Sequence, residues 1–507
     1  MKEPRDLGAT RPVPLLDSQL WPFYPCGGRW ISIPKMSKAK TILWLVAGGT
    51  AVLAAAAGAT AAYTKLTASP VELRKTAAVQ LPTSGGVVRH TESGFAGAGW
   101  SLDPETDRAT VEAFAQAGGS ESGGLTMVFY TPQHDPRRVA AALARGSTSA
   151  GRIVGMTTHD GILAFDGYHS APTGVVGILS THLNGVHAGV GAASFEEGDP
   201  IHAAKLALSR AVADANKTKA DRPTMLVVFC TMRTEEAVLQ GLAEEIGSDI
   251  PLIGGTAAGL VSTMDRKTEG VSSSMIAGDR IVEQGVVVTA FYTTQPFAWA
   301  YGGGFVRASG QGGVITSADE RLIRAIDGRP AEDVYDEWLG GRLKDAKATG
   351  KNVQNVLALY PLVQVVSKNG ASHNQFIRAW PSERSDVPGS LITGTNVRVG
   401  ETLYTSEGSE NILLNRFAAL PRQARKSVGD SAMPAGLFFY CAGALQTIPR
   451  EHRGNLATLV QQSMGDMPWI GLFTWGEQAS VPGIGNQHGN LMASTLLFPS
   501  ASQRKSP

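Results

Sequence analysis

Four threonines and a set of glycines stand where apolar runs of the chain give out. Gly155 is followed by Thr157 and Thr158, Gly254 and Gly255 by Thr256, and Gly471 by Thr474. Glycine lets backbone N–H groups come close to a ligand, and a helix start beside it favours an anionic group such as a carboxylate. The threonine hydroxyls can donate hydrogen bonds. Glu477 can hold an ammonium and Arg378 a carboxylate. Together these residue types describe recognition of a small polar ligand of amino-acid character. Bland readings stand beside that one: tight turns for the glycines, a cap or ion pair for Glu477, a salt bridge for Arg378.

Other chemistries are weaker in the pattern. Cys441 with His488 as base would make a cysteine nucleophile and an enzyme. His159 or His488 could ligate haem iron. Cys230, Cys441 and His488 lack the paired spacing of a metal site. No GxSxG, HExxH, Walker or GxGxxG pattern occurs in a fitting context, so neither catalytic nor metal residues are assigned and no resident cofactor is expected. The three cysteines make no disulfide framework, and Cys230 and Cys441 read as small buried residues.

The elements that position these residues repeat. Met225 to Phe229 is a short apolar run ended by Cys230 and Thr231, followed by a helix face of Leu239, Leu242, Ala243 and Ile246. Glu235 and Glu236 suit that helix's first turn, and Gly247 its end. Ile250 to Ile253 then leads into Gly254-Gly255-Thr256. The pattern is strand, helix, strand. An earlier copy has a first strand ending at Tyr130-Thr131, a helix opened by Asp135-Pro136 with Val139, Ala140 and Leu143 inward, and a second strand with Gly155. A late copy ends its first strand at Cys441-Ala442, runs a helix through Leu456, Leu459, Val460 and Met464, and carries Gly471 in its second. The expected fold class is α/β, built of repeated βαβ units with mixed sheets and antiparallel hairpins, preceded by one hydrophobic helix. Gly174 to Leu179 and Ala188 to Ala193 are expected to pair around Asn184-Gly185. Gly389 to Thr393 and Glu401 to Tyr404 should frame a second hairpin-like unit. A helix through Val111, Phe114 and Ala115 should be amphipathic.

With 507 residues and a net charge of +1, two or three domains are expected and no bulk attraction to nucleic acid. Residues 1–40 read as a leader, with Met36 a possible second start. Thr41 to Tyr63 carries no charge and is long enough to span a bilayer. The lysines before it favour a single-pass anchor with the remainder translocated. The alternative is a signal peptide, cleaved near Ala59-Thr60-Ala61 to leave a secreted or periplasmic product. Residues 64–95 read as a linker, 96–308 and 309–499 as two domains, and 500–507 as a tail.

The motifs resemble the FIST family, a sensory module of N-terminal and C-terminal parts. Val154 to Gly161 resembles the family's Gly-Cys-Ser-Thr-x-Gly-Glu segment, and Pro251 to Ala257 its Pro-x-x-Gly-Gly-Ser-Ala segment. Ile326 to Ala331 with Tyr335 matches its Asp-Gly-x-Pro-Ala turn. Arg378 stands where a family arginine precedes a small hairpin, and Gly400-Glu401 matches a Glu-Gly turn in reversed order. Tyr440 to Gly443 and Gly471 to Glu477 match the closing motifs, with His488 and Asn490 after them. The family's arginine just past the Cys-x-Gly segment is missing, Ala444-Leu445 standing there, and the segment at Gly161 lacks its glutamate. The resemblance covers Gly97 to Phe498. It implies sensing in signal transduction, with a small-molecule ligand bound at Gly155, Thr157, Thr158, Gly254, Gly255, Thr256, Arg378, Cys441, Gly471, Thr474, Glu477, His488 and Asn490. The departures imply a ligand different from the family's usual one. Some members resemble haem-binding nitric-oxide sensors. The chain shows no output segment, so the downstream partner is open.

Overall fold

The structure, a computed structural model, describes residues 82–92, 94–119, 124–146, 152–259, 273–429 and 431–500. The leader, the charge-free run 41–63 and most of the linker lie outside the described residues. Among the described residues no helix is long and apolar enough to cross a membrane.

The chain opens with β1 (Ser84–Thr91), β2 (Gly94–Ser101), α1 (Thr106–Gln116), β3 (Leu125–Tyr130), α2 (Pro136–Gly146) and β4 (Arg152–Thr157). A hairpin, β5 (Ile162–Ala164) and β6 (Gly167–His169), and a long strand, β7 (Val176–Leu183), complete this unit. The same series follows as β8 (His187–Ser194), α3 (Pro200–Asp214), β9 (Met225–Cys230), α4 (Glu235–Ile246), β10 (Leu252–Thr256), β11 (Met275–Ala277), β12 (Arg280–Val282) and β13 (Gly285–Tyr292). The third unit begins at β14 (Ala298–Gly303) and is at once interrupted. The insertion holds β15 (Val306–Asp319), β16 (Leu322–Ile326), β17 (Arg329–Pro330), α5 (Ala331–Trp338), α6 (Arg342–Ala348) and α7 (Val353–Leu357), then β18 (Leu362–Lys368), β19 (Ala371–Ile377), β20 (Ala379–Pro381), β21 (Leu391–Thr393) and β22 (Thr402–Glu407). The unit resumes with α8 (Glu410–Ala418), α9 (Leu420–Lys426), β23 (Ala435–Cys441), α10 (Ala442–Leu445), α11 (Arg453–Met464), β24 (Trp469–Thr474), β25 (Glu477–Val481), β26 (Gly485–Gly489) and β27 (Met492–Phe498).

Strand order reveals how the units interlock. The three sheets run β1-β2-β7-β3-β4-β11-β12, β8-β13-β9-β10-β25-β26 and β14-β27-β23-β24-β5-β6. Each has one parallel pair at its centre, β3–β4, β9–β10 or β23–β24. Each hairpin leaves its own unit. The hairpin after β4 joins β24, the one after β10 joins β4, and the one after β24 joins β10. The result is a pseudo-threefold ring in which every sheet is closed by its neighbour's hairpin. Phe129, Phe229 and Phe439, one from each unit, meet in the shared apolar core, with ring centroids 6.1 and 6.4 Å apart. The insertion is an antiparallel sheet, β19-β18-β22-β15-β16-β21-β20, with its own core under α5–α7.

Several expectations need correction. The segment read as a linker up to residue 95 contains β1 and the start of β2, paired along their length. Its glycines are packing residues: a Cβ at Gly86 would lie 2.3 Å from the Gln116 carbonyl at the end of α1. β7 and β8 do turn at Asn184-Gly185 but do not pair; β7 joins β2 and β3, β8 joins β13. The hydrogen-bonding edges of both strands go to partners that bury a full apolar face. Likewise β21 pairs with β16 and β20, and β22 with β15 and β18, so no hairpin forms between them. On α1 the buried face is Ala109, Ala113 and Phe114, while Val111 and Ala115 are exposed.

Candidate functional site at the strand tips

The first-strand ends fall at Tyr130, Cys230 and Cys441, and β4, β10 and β24 each end on a threonine. Those tips are joined directly. The N–H of Ala258 donates to the Thr157 carbonyl (3.1 Å), that of Trp475 to Thr256 (3.3 Å) and that of His159 to Phe473 (3.1 Å). These three bonds form a ring from one unit to the next.

The glycines lie inside their strands and not at the ends. A Cβ at Gly155 would sit 2.0 Å from the Val128 carbonyl, and one at Gly254 1.9 Å from that of Val228. At Gly255 it would meet the Thr474 methyl at 2.4 Å, and at Gly471 the Leu163 Cβ at 2.9 Å. Close packing between and within sheets therefore accounts for these four. The hydroxyls are engaged within the protein. Thr157 accepts from the Ser274 N–H (3.2 Å). Thr158 donates to the Gly161 carbonyl and accepts from the Phe473 N–H. Thr256 donates to Glu235 (2.8 Å) and accepts from the Gln478 amide (3.0 Å). Thr474 donates to Glu477 (2.6 Å).

Glu477, fully buried, also accepts the Met492 N–H at 3.2 Å. Burial pushes its carboxyl well above the usual carboxylate range. Burial likewise pushes the Cys441 thiol up to about 12, with the Glu477 carboxyl adding to it. The thiolate needed for nucleophilic attack is thereby disfavoured. His488 is bonded through Nδ1 to Glu236 at 3.0 Å, and among the described residues no hydrogen bond joins it to Cys441. His159 has Nδ1 at 3.3 Å from the Gly259 carbonyl, lies against the Trp475 ring, and is held below its ordinary pKa by burial.

Arg378, Cys441 and Asn490 come together where the insertion meets the tips of β23 and β24. Two glycines make room. A Cβ at Gly443 would lie 2.8 Å from Arg378 Nη1 and 3.5 Å from the Cys441 sulfur, and one at Gly394 would lie 2.0 Å from Asn490 Oδ1. Arg378 is 5% exposed, yet among the described residues no carboxylate lies within ion-pair distance of it. Among the described residues its side chain makes one hydrogen bond, from Nη2 to the Gln354 carbonyl at 3.5 Å, and Nε has no partner. Burial lowers its affinity for the proton. Among the described residues, Gln354 Oε1, Thr395 Oγ1, Trp475 Nε1 and Asn490 Oδ1 are further buried atoms without partners. Asn490 is tied in by its N–H to the Phe376 carbonyl and its amide to that of Trp475.

Beside these residues lies a charged cluster that motif reading left out. Arg321, just before β16, donates through one nitrogen to Glu235 Oε2 and Glu236 Oε2, both at 2.7 Å, and through Nε to Asn396 (3.1 Å). Glu235 is 2% exposed. The two glutamates were legible only as helix-start residues. Arg321 carried no signal, because nothing in its local pattern distinguishes a buried arginine from a surface one.

The ring of sheets and the insertion make a two-part α/β module with a buried polar wall at its strand tips. The FIST N domain matches residues 124–329 and the FIST C domain residues 331–480, together more than half of the chain. The chain belongs to the FIST family, whose domains serve sensing in signal transduction. No curated protein matches it. Among solved structures, a cyanuric acid hydrolase described as an evolutionary innovation by structural concatenation is similar at 11% identity. The match covers 83% of this chain and 100% of that one, with a TM-score of 0.27.

Proposed function

We propose that this chain senses a small anionic ligand, a carboxylate or an amino acid, held by Arg378 between the insertion and the tips of β23 and β24. The observation that carries this reading is the buried guanidinium without a counter-charge. A lone buried cation is unfavourable by several kcal/mol even after the protein relaxes around it. A ligand carboxylate would supply the missing charge in bidentate geometry. Asn490, Thr395, Gln354 and Trp475, each with an unpartnered buried atom, offer further donors and acceptors. Glu477 is not the ammonium contact in this reading, because its oxygens face Thr474 and Met492. The cysteine-enzyme reading receives no comparable support, because the Cys441 thiol is buried.

The test is a thermal-shift screen of residues 82–500 against amino acids and small carboxylates, with Arg378→Met beside the parent. The variant should be more stable than the parent without ligand, because an unpaired charge is gone. It should also lose the ligand-induced rise in Tm. A destabilised variant, or carboxylates that shift both proteins equally, would overturn the reading. The charge-free run 41–63 would tether the module to a membrane, which protease protection of membrane-bound full-length chain can test.

A further inference from the structure

We propose that Glu235 and His488 form a divalent transition-metal site, with Glu236 as the residue that orients the histidine. His488 stands on β26 directly across the ladder from Gln478 on β25. Its side chain is 1% exposed. Nδ1 lies 3.0 Å from Glu236 Oε1. A carboxylate oxygen at this distance can only accept. Nδ1 therefore carries the proton, and the second ring nitrogen is left to face elsewhere. Among the described residues Nε2 has no hydrogen-bond partner. It points toward Glu235 Oε1 at 3.9 Å, too far for a hydrogen bond. Two donors that each lie about 2.0–2.2 Å from one ion are roughly 3–4 Å apart, which is this separation.

Further polar groups pack close by. A Cβ on Gly476 would lie 2.5 Å from His488 Nε2 and 2.9 Å from Thr256 Oγ1, so only a glycine lets the imidazole and the Thr256 hydroxyl come this close to the backbone. Gln478, 1% exposed, has its Oε1 without a partner while its Nε2 donates to Thr256. The ligand atoms of Glu235, Glu236 and His488 all lie within 4.8 Å of one another. The carboxylate–imidazole–acceptor sequence is the usual support of a metal-binding histidine. Imidazole with carboxylate favours zinc and its neighbours in the transition series over calcium or magnesium.

Charge fits as well. Arg321 binds the outer oxygens of both glutamates and balances one of them. The other would be balanced by the bound ion. This site is separate from the Arg378 wall and does not depend on its ligand.

The experiment is titration of metal-free protein, residues 82–500, with Zn²⁺ by calorimetry and with Co²⁺ by visible absorption. One ion per chain should bind, with a cobalt spectrum of nitrogen and oxygen ligation. His488→Ala and Glu235→Gln should abolish binding. Glu236→Gln should weaken it by roughly 10–100-fold, as expected when an orienting partner is lost. Arg378→Met should leave it unchanged, which separates failure here from failure of the anion reading. If a site variant does not fold, the parent's cobalt spectrum decides alone. A chain that takes up no Co²⁺ or Zn²⁺ at millimolar metal, or a His488→Ala variant that binds as the parent does, would overturn the site.

Discussion

Glu477 shows what burial does to a single residue. It was legible as a charged ligand contact because glutamate is ordinarily ionised, but inside the fold it is fully buried and its carboxyl is pushed well above 4.5. The folded chain therefore keeps a proton that the unfolded chain releases above about pH 4.5. Stability from this group is complete below that pH and falls as pH rises toward the folded pKa, by about 1.4 kcal/mol per unit. Glu477→Gln keeps the shape and removes the titration. Relative to the parent, its Tm should climb between pH 5 and pH 8; a constant difference across that range would show the carboxyl to be ionised in the fold. Arg321 makes the opposite case. It is paired with the buried Glu235, and Arg321→Ala should destabilise by about 3–5 kcal/mol in urea unfolding, because the carboxylate stays behind unpaired. Motif reading selected hydroxyls and overlooked this pair. A threonine after a glycine is a local pattern, whereas Glu235 and Arg321 meet only when distant parts of the chain fold together.

At the scale of elements, the three strand-helix-strand units were legible because periodicity and caps are local. The Asp135 carboxylate accepts the Arg137 N–H at 2.8 Å and caps α2 as its position suggested. Gly247, just past α4, has φ 85°, a left-handed stop. Asn369 and Gly370, with φ 51° and 82°, make the tight turn their types demand. What the pattern could not show was the partner of each strand. β7 and β8 looked like a hairpin, since a turn signal between two apolar runs fits a hairpin and a crossover between sheets equally well. The strand glycines carry the same ambiguity, because glycine admits a ligand or a neighbouring backbone alike. Here it is the backbone. Gly254→Ala would press a methyl to 1.9 Å from the Val228 carbonyl. That carbonyl belongs to the central parallel pair and cannot swing aside. We expect a loss of about 3 kcal/mol or more, the upper end of overpacking, with ligand response and stability falling together. A fully stable Gly254→Ala chain would mean that the parallel pair is looser than its register implies.

The whole molecule is held together by exchange. Family matches divide the chain near residue 330, and composition suggested a boundary near 308, but the sheets respect neither. The strand pair β9–β10 is closed on one side by β25–β26, from the far end of the chain, and β23–β24 is closed by β5–β6, from the beginning. β14 lies N-terminal to the insertion and yet pairs only with β27. Cut after residue 305, the first part would expose the β10 edge and leave β5–β6 and β14 without sheets, each a row of unsatisfied backbone groups. The second part would lose both flanks of its central sheet, and with them the Phe129–Phe229–Phe439 contact at the core. Residues 82–305 expressed alone should therefore aggregate or lack fixed near-ultraviolet circular dichroism, and residues 306–500 should behave likewise. Co-expressed, the two pieces should pair into one soluble complex with the Tm of the uncut chain to within a few degrees, since every exchanged hairpin regains its partner. Either piece folding cooperatively alone would show that the exchange is not needed, and the strand tips would then have to be positioned by each half separately.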